Sequence, residues 1–280
     1  MKQFVLPAHY AGDSELTVTG RDFHYLHRVR RLGEGDRFAG LLREGTPVEL
    51  SVVEAGPSSM RLRVERAGGE AGAAGDAPAP AVGERGHAGG NADAADTRAV
   101  PDLLPQITLY QGLPKAGKLD LIIRQAVEAG VSRIVPVASA HAIARVDGAE
   151  RSRRKLERWQ RIAEEAVQQS GRHSVPSVEP VRELEEIPPV PAAEDEVGLV
   201  FHEKALADDG VGGYLDADRR RVLLVIGPEG GLSEEEVSAL DRRGFSRVSL
   251  GPQVLRTETA ALYAIAAVQS VYRELVRWKQ

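Results

Sequence analysis

The chain has no cysteine at all. Disulfides and thiolate metal sites are therefore excluded, and the absence fits a reducing, cytoplasmic setting. Nor is there any apolar run near the roughly 20 residues of a membrane span. The opening stretch, MKQFVLPAHYAGDS, lacks the long apolar segment of a secretion signal. Excess positive charge is also missing. Thirty-six Lys and Arg stand against 41 Asp and Glu, a net charge of −5, so any contact with nucleic acid has to come from local patches. What remains is ordinary soluble material, 42% hydrophobic and 28% charged over 280 residues, enough for two modest domains or one large one.

The organising stretch is the last third. Two short β-branched runs, Val222–Ile226 and Val248–Leu250, read as strands. Each enters a glycine-containing loop that opens into a helix. The first loop is Gly227-Pro228-Glu229-Gly230-Gly231, followed by Ser233 as N-cap and Glu236 three residues on, a capping box. Read alone, it is as much an ordinary corner as a binding loop. The second loop, Gly251 to Arg256, runs into Thr257-Glu258-Thr259 and an almost wholly apolar helix from Ala260. Polar chemistry crowded against so apolar a helix is more than a turn requires. Loops at the carboxyl ends of buried strands bind ligands in α/β sheets, and this pair implies a pocket that grips a small molecule through backbone groups.

Upstream, Phe4–Leu6, Arg37–Leu42, Val48–Val53 and Met60–Val64 read as closely spaced strands, the pattern of a small β-barrel over residues 1–66. A helix is predicted from Asp22 to Arg31, with Phe23, Leu26 and Val29 on one side and His24, His27, Arg28, Arg30 and Arg31 on the other. On residues alone, that basic run is a solvated helix face. Residues 67–104 are dominated by Ala, Gly, Asp and Pro and read as a flexible linker, too poor in large apolar residues to offset its ordering entropy. From 105 onward the pattern is α/β. Strands are expected at Ile107–Gln111, Val131–Ala138 and Val197–Phe201, and helices at Leu119–Ala129 and Glu150–Ser170. Gly117-Lys118 lacks the remainder of a phosphate-binding loop. The second helix is strongly basic in its first half, where cations oppose the helix dipole, which favours phosphate contact over simple solvation.

IGPEGGLS and LGPQVLRTETA together resemble the C-terminal signature of the SPOUT superfamily, in particular the RsmE family of 16S ribosomal RNA uracil-N3 methyltransferases. LRTETA is the specific element. Supporting matches are His24–Asp36 (HYLHRVRRLGEGD), Glu128–Val131, Gln168–Pro176 and Phe201–Glu203. Val254 stands where the family commonly has Ile, and His141 where it often has Arg. The long insert is likewise a departure.

The resemblance implies an α/β fold. A C-terminal SPOUT domain with a parallel sheet and a deep trefoil knot would span 105–280, preceded by a PUA-like RNA-binding barrel at 1–66. It implies S-adenosylmethionine bound by three loops. These are Phe201, His202 and Glu203; Ile226, Gly227, Pro228, Glu229, Gly230 and Gly231; and Leu250, Gly251, Val254, Leu255, Thr257, Thr259 and Ala260. It further implies RNA contact by Lys2, His24, His27, Arg28, Arg30, Arg31, Lys115, Lys118 and Arg154, a homodimer, and 16S rRNA in the small subunit as substrate.

Methyl transfer from a sulfonium needs alignment more than covalent help. The uracil N3 proton, however, calls for a base or an oxyanion-stabilising cation. Arg256 and Glu258 are the first candidates and Arg172 the next. Two other readings compete: a SPOUT ribose 2′-O-methyltransferase, whose relatives carry S-L-N where this chain has LRTETA, and a non-catalytic RNA-binding protein.

Overall fold

The structure is a computed structural model. It describes residues 3–66, 104–115, 117–142, 148–191, 195–202 and 210–277. The expected linker lies outside the described residues except for Leu104, and Lys2 and Glu203 lie outside them too.

The first 66 residues form a five-stranded sheet in the order β1-β3-β4-β5-β2. Its strands are β1 (Phe4–Val5), β2 (Glu15–Thr19), β3 (Arg37–Leu41), β4 (Pro47–Ala55) and β5 (Ser59–Arg66). All pairings are antiparallel except β1 with β3. β4 alternates buried Val48, Leu50 and Val52 with less buried residues, and its register shifts by one between Val52 and Glu54. Such a bulge bends a sheet and raises its twist. The sheet curls round a core of its own built on Phe4, Leu26, Leu50, Met60 and Leu62.

β2 was not expected from the sequence. Its ELTVT alternates perfectly but carries only two core residues, Leu16 and Val18. The predicted helix also differs. A short α1 (Gly20–Phe23) passes into a wider π-helical turn, His24–Val29, in which the Arg30 amide bonds the Tyr25 carbonyl five residues back. Each residue of so wide a turn rotates less about the axis. A side chain three positions beyond Leu26 then falls short of the core, and Val29 is 61% exposed.

The remainder is a seven-stranded, wholly parallel sheet in the order β12-β10-β11-β6-β7-β8, with β9 also paired to β7. The strands are β6 (Gln106–Gly112), β7 (Arg133–Ala138), β8 (Ser177–Val178), β9 (Arg182–Glu183), β10 (Glu196–Phe201), β11 (Arg221–Ile226) and β12 (Phe245–Val248). The helices are α2 (Lys118–Glu128), α3 (Ala149–Ser170), α4 (Glu234–Arg242) and α5 (Thr257–Arg277). Both faces are covered, as parallel sheets require. Alternate residues of β6, β10 and β11 pack against α2, α3 and α5 on one face. Tyr110, Val200, Leu223 and Val225 meet Leu232, Val237 and Leu240, at the start of and along α4, on the other.

The last strand ends earlier than expected: Phe245–Val248 pairs with Gly198–Phe201, and Leu250 belongs to the loop beyond. Among the described residues β12 is an edge strand, hydrogen-bonded on one side only, so it tolerates the Ser246-Arg247 pair that hid it in the sequence. Strands β8 and β9, two residues each, had no expectation at all.

The curled sheet is seated on α3. Val5 and Leu41 join the core of the larger sheet, Arg43 pairs with Glu164 at 2.7 Å and Arg21 with Glu165, and Gln3 donates to the Arg172 carbonyl.

Candidate active site

The carboxyl ends of β10, β11 and β12 are adjacent, so the three loops anticipated from the sequence converge there. They enclose a cavity of about 390 Å³. Its wall contains Phe201 and His202 from the first loop, Ile226 through Leu232 from the second, and Ser249–Gly251, Gln253–Thr257 and Ala260 from the third. Thr259 is not in the wall; it faces solvent one position before Ala260.

The second loop is tight because glycine allows it. A Cβ on Gly227 would stand 3.1 Å from the Gly231 carbonyl carbon and 3.2 Å from Leu232 Cγ, and Gly231 has φ +70°. Gly112, at the end of β6, lies so close behind that a Cβ there would meet Pro228 at 2.6 Å. The capping box forms as read: Ser233 Oγ accepts from the Glu236 amide at 3.2 Å and Glu236 Oε2 from the Ser233 amide at 2.7 Å. Glu236 Oε1 also accepts from the Ala140 amide at 2.7 Å, which ties the loop after β7 to the cap. That tie brings His141 against Gly230, with Nδ1 at 3.1 Å from the carbonyl.

At the amino end of α5, Lys118 Nζ bridges two carboxylates, Glu229 Oε1 at 3.1 Å and Glu258 Oε2 at 3.3 Å. The Glu258 carboxyl is lowered chiefly by the hydrogen bond from its own amide in the helix's first turn; burial opposes this, and Lys118 and the charge of Arg256 lower it further. For Glu229, burial raises the carboxyl. Hydrogen bonds from its own amide, from Lys118 and from the Lys115 amide outweigh that and leave it lowered. Lys118 is raised, Glu229 contributing most. The partner of Glu258 is thus Lys118. Arg256 is exposed at the rim and makes no ion pair within 4 Å among the described residues.

Arg172 is not brought to this cavity. Its guanidinium donates to the carbonyls of Val127 at 3.0 Å and Val131 at 2.6 Å, in the turn between α2 and β7. That turn is at the amino-terminal edge of the sheet, whereas the loops leave the carboxyl edge.

The basic candidates divide as well. His24, Arg28 and Arg31 are exposed. His27 stacks on Phe23 and reaches the Leu32 carbonyl, and Arg30 lies over the Phe38 ring at 5.3 Å. Arg154 pairs with Glu150 at 2.9 Å, Arg153 with Glu150 and Glu157, and Arg158 with Asp120. Neighbouring acids therefore offset part of the charge on α3. The Lys115 side chain is exposed.

One buried residue escaped the sequence reading. Gln111, fully buried at the end of β6, donates to Thr257 Oγ1 at 2.9 Å, and Thr257 Oγ1 donates to the Gly227 carbonyl at 2.7 Å. A glutamine closing an apolar strand was the only signal available.

A parallel sheet with glycine-lined loops gathered at its carboxyl edge defines an α/β domain of the kind whose ligand sites lie at that edge, and its class is an RNA methyltransferase: the family described as "RNA methyltransferase domain" matches residues 102–269. A "Ribosomal RNA small subunit methyltransferase E" of Bacillus subtilis (strain 168) is 28% identical over 269 residues, covering 94% of this chain and 93% of that one. A namesake from Aquifex aeolicus (strain VF5) is 33% identical over 166 residues, covering 59% and 68%. The chain belongs to this family of small-subunit methyltransferases. Its fold is also that of the Neisseria gonorrhoeae small-subunit methyltransferase E crystallised with S-adenosyl methionine, with a TM-score of 0.74 at 24% identity over 97% of this chain and 98% of the other.

Proposed function

We propose that this chain methylates N3 of a uridine in the 16S RNA of the small ribosomal subunit, with S-adenosylmethionine as donor. The observation that carries the reading is the meeting of three loops, LRTETA among them, around one cavity at the carboxyl edge of the sheet. Its volume lies within the roughly 300–1,000 Å³ of small-molecule sites. Its lining suits the donor: Ile226, Leu250, Leu255 and Ala260 offer apolar surface to a flat ring, and the glycines of the 227–231 loop leave backbone groups free to approach.

When bound, the cofactor supplies an electrophilic methyl on a sulfonium. The protein's part is to orient, to exclude water and to handle one proton. Arg256, at the rim and with no ion pair within 4 Å among the described residues, stabilises the negative charge that develops on the pyrimidine oxygens as N3 loses its proton. Glu258 lies just outside the cavity wall, which Glu229 lines; ionised at neutral pH and held by Lys118, it is the carboxylate assigned to receive that proton. Arg172 has no part in this step; its bonds to Val127 and Val131 make it a tie within the fold. Because uracil N3 is ordinarily paired, the target base has to be unpaired or extruded.

The same reading divides the chain into a PUA-like barrel at 1–66, a linker at 67–104 and a SPOUT domain at 105–280. It makes His24, Arg28 and Arg31 the barrel's phosphate contacts and adds Lys115 and, on α3, Arg154. The SPOUT domain is knotted in this proposal. In support, the chain leaves edge strand β12, returns across the ends of β10 and β11, and enters α5 beneath Gly227. The enzyme acts as a homodimer in the cytoplasm. Val254, Leu262 and Tyr263 are exposed to 79%, 37% and 52% on the last loop and the adjoining face of α5, an apolar surface suited to a second copy.

Nucleosides prepared from small-subunit particles after incubation with the protein and labelled S-adenosylmethionine test the proposal by mass spectrometry. Label is expected in 3-methyluridine. Label in a ribose-methylated nucleoside, or no label, overturns it.

A further inference from the structure

The wall of the cavity is fixed from behind by a residue that does not line it. Gln111 is the next-to-last residue of the central strand β6, in register with Ile226 of β11. Its side-chain nitrogen donates to the Gly112 carbonyl at 3.0 Å and to Thr257 Oγ1 at 2.9 Å, and Thr257 Oγ1 lies 2.7 Å from the Gly227 carbonyl. The directions follow from counting protons. A carbonyl only accepts, so the single hydroxyl proton of Thr257 goes to Gly227. The hydroxyl then accepts from Gln111, and the NH₂ end of the amide is the one that faces it. One directed series therefore runs from the centre of the sheet, through the first residue of α5, to the first residue of the 227–231 loop.

The series has a cost. Gln111 Oε1 is buried with no hydrogen-bond partner among the described residues, and an orphaned buried acceptor destabilises the fold. A leucine at this position would satisfy the core without that penalty. The amide is explained by what it holds: Thr257 and Gly227 belong to two different loops of the cavity wall, and the side chain sets the gap between them.

We propose that Gln111 is a positioning residue for the cofactor, fixing the separation of the 227–231 and 250–257 loops through the Thr257 hydroxyl. The proposal rests on the reading of the cavity as an S-adenosylmethionine site. A structural role alone predicts loss of stability, whereas a positioning role predicts loss of affinity.

Titration calorimetry with S-adenosylmethionine and melting of the ligand-free protein separate the two. Gln111→Leu removes the orphaned acceptor together with the donor. Its melting temperature is expected to stay near that of the parent while Kd rises tenfold or more, about 1.4 kcal/mol. Gln111→Glu places an acceptor against the hydroxyl, draws the Thr257 proton away from Gly227 and is expected to weaken binding further. Thr257→Val reproduces the loss, Thr257→Ser restores binding, and Gln111→Leu with Thr257→Val is no worse than either alone. In turnover, KM for the cofactor rises while kcat at saturation holds. Unchanged Kd in both Gln111 variants, or losses that simply add in the double variant, overturns the proposal with the cavity assignment intact. A parent protein that binds no S-adenosylmethionine overturns the assignment and this inference with it.

Discussion

Glu236 is the residue whose replacement tests most directly how the cavity wall is held. It is buried, and its two carboxylate oxygens each accept a backbone amide at 2.7 Å, one from Ser233 at the cap and one from Ala140 across the gap to β7. Hydrogen bonds to a charged group contribute about 1.5–3 kcal/mol each. Truncation to alanine leaves both amides without an acceptor but also relieves the burial of a charge, so the net loss for Glu236→Ala is placed at about 2–4 kcal/mol. For a folding unit of this size each kcal/mol moves the melting temperature by roughly 2–4 °C, which gives a fall of about 4–16 °C. Ser233→Ala removes only the bond to the Glu236 amide and costs about 1 kcal/mol. Glu236→Gln retains one acceptor and falls between. Thermal melts followed by circular dichroism, with urea titrations to check that the m-value is constant, give the ranking. The reasoning fails if Glu236→Ala is no less stable than Ser233→Ala. Because the Ala140 bond also seats His141 on Gly230, Glu236→Ala is expected to weaken cofactor binding as well, which calorimetry reads independently.

Arg256→Ala is expected to cut turnover about 10²–10³-fold, the size of losing one charge-stabilising donor, with little change in cofactor affinity; unchanged single-turnover rates would remove Arg256 from the chemistry. Lys118→Met tests the bridge between Glu229 and Glu258. Both carboxyls are lowered in the fold, so their contribution is present above the ordinary 4.5 and lost as pH falls through the lowered values. The ammonium is raised, so its contribution is present below the ordinary 10.5 and lost as pH rises through the raised value. The difference in urea midpoint between parent and variant should accordingly be widest between those limits, narrow at both ends and shrink in high salt; a difference that does not vary with pH would contradict the bridge. Tyr263→Glu puts a charge on the exposed apolar face of α5 and is expected to convert a dimer to a monomer in sedimentation velocity, and a parent that already sediments as a monomer would refute the assembly.

Much of the site was legible because its loops are local in sequence. Ser233 and Glu236 identify a capped helix from four residues, since a cap is made by neighbours along the chain. The runs at 107–111, 197–201 and 222–226 identify buried parallel strands, which are apolar on both faces and carry little else. LRTETA carried the family. Other features depend on distance in space. Nothing in the spacing of Arg172 tells that its guanidinium turns to Val127 and Val131, at the opposite edge of the sheet from the cavity. The pairing of Glu258 with Lys118, 140 residues away, arises only once β6 and β11 lie side by side. Val29 looked like a core residue until the wide turn swung it out, and Phe245–Val248 was hidden because an edge strand needs only one apolar partner. Gln111 is the clearest case: it closes an apolar strand, and its purpose exists only where Thr257 and Gly227 meet in front of it. Which segments become strands, capped helices and glycine loops follows from short-range sterics and hydrogen bonding, and so was written in the order of neighbouring residues. Which polar side chain finds which partner depends instead on strand order, and strand order is set by packing across the whole sheet.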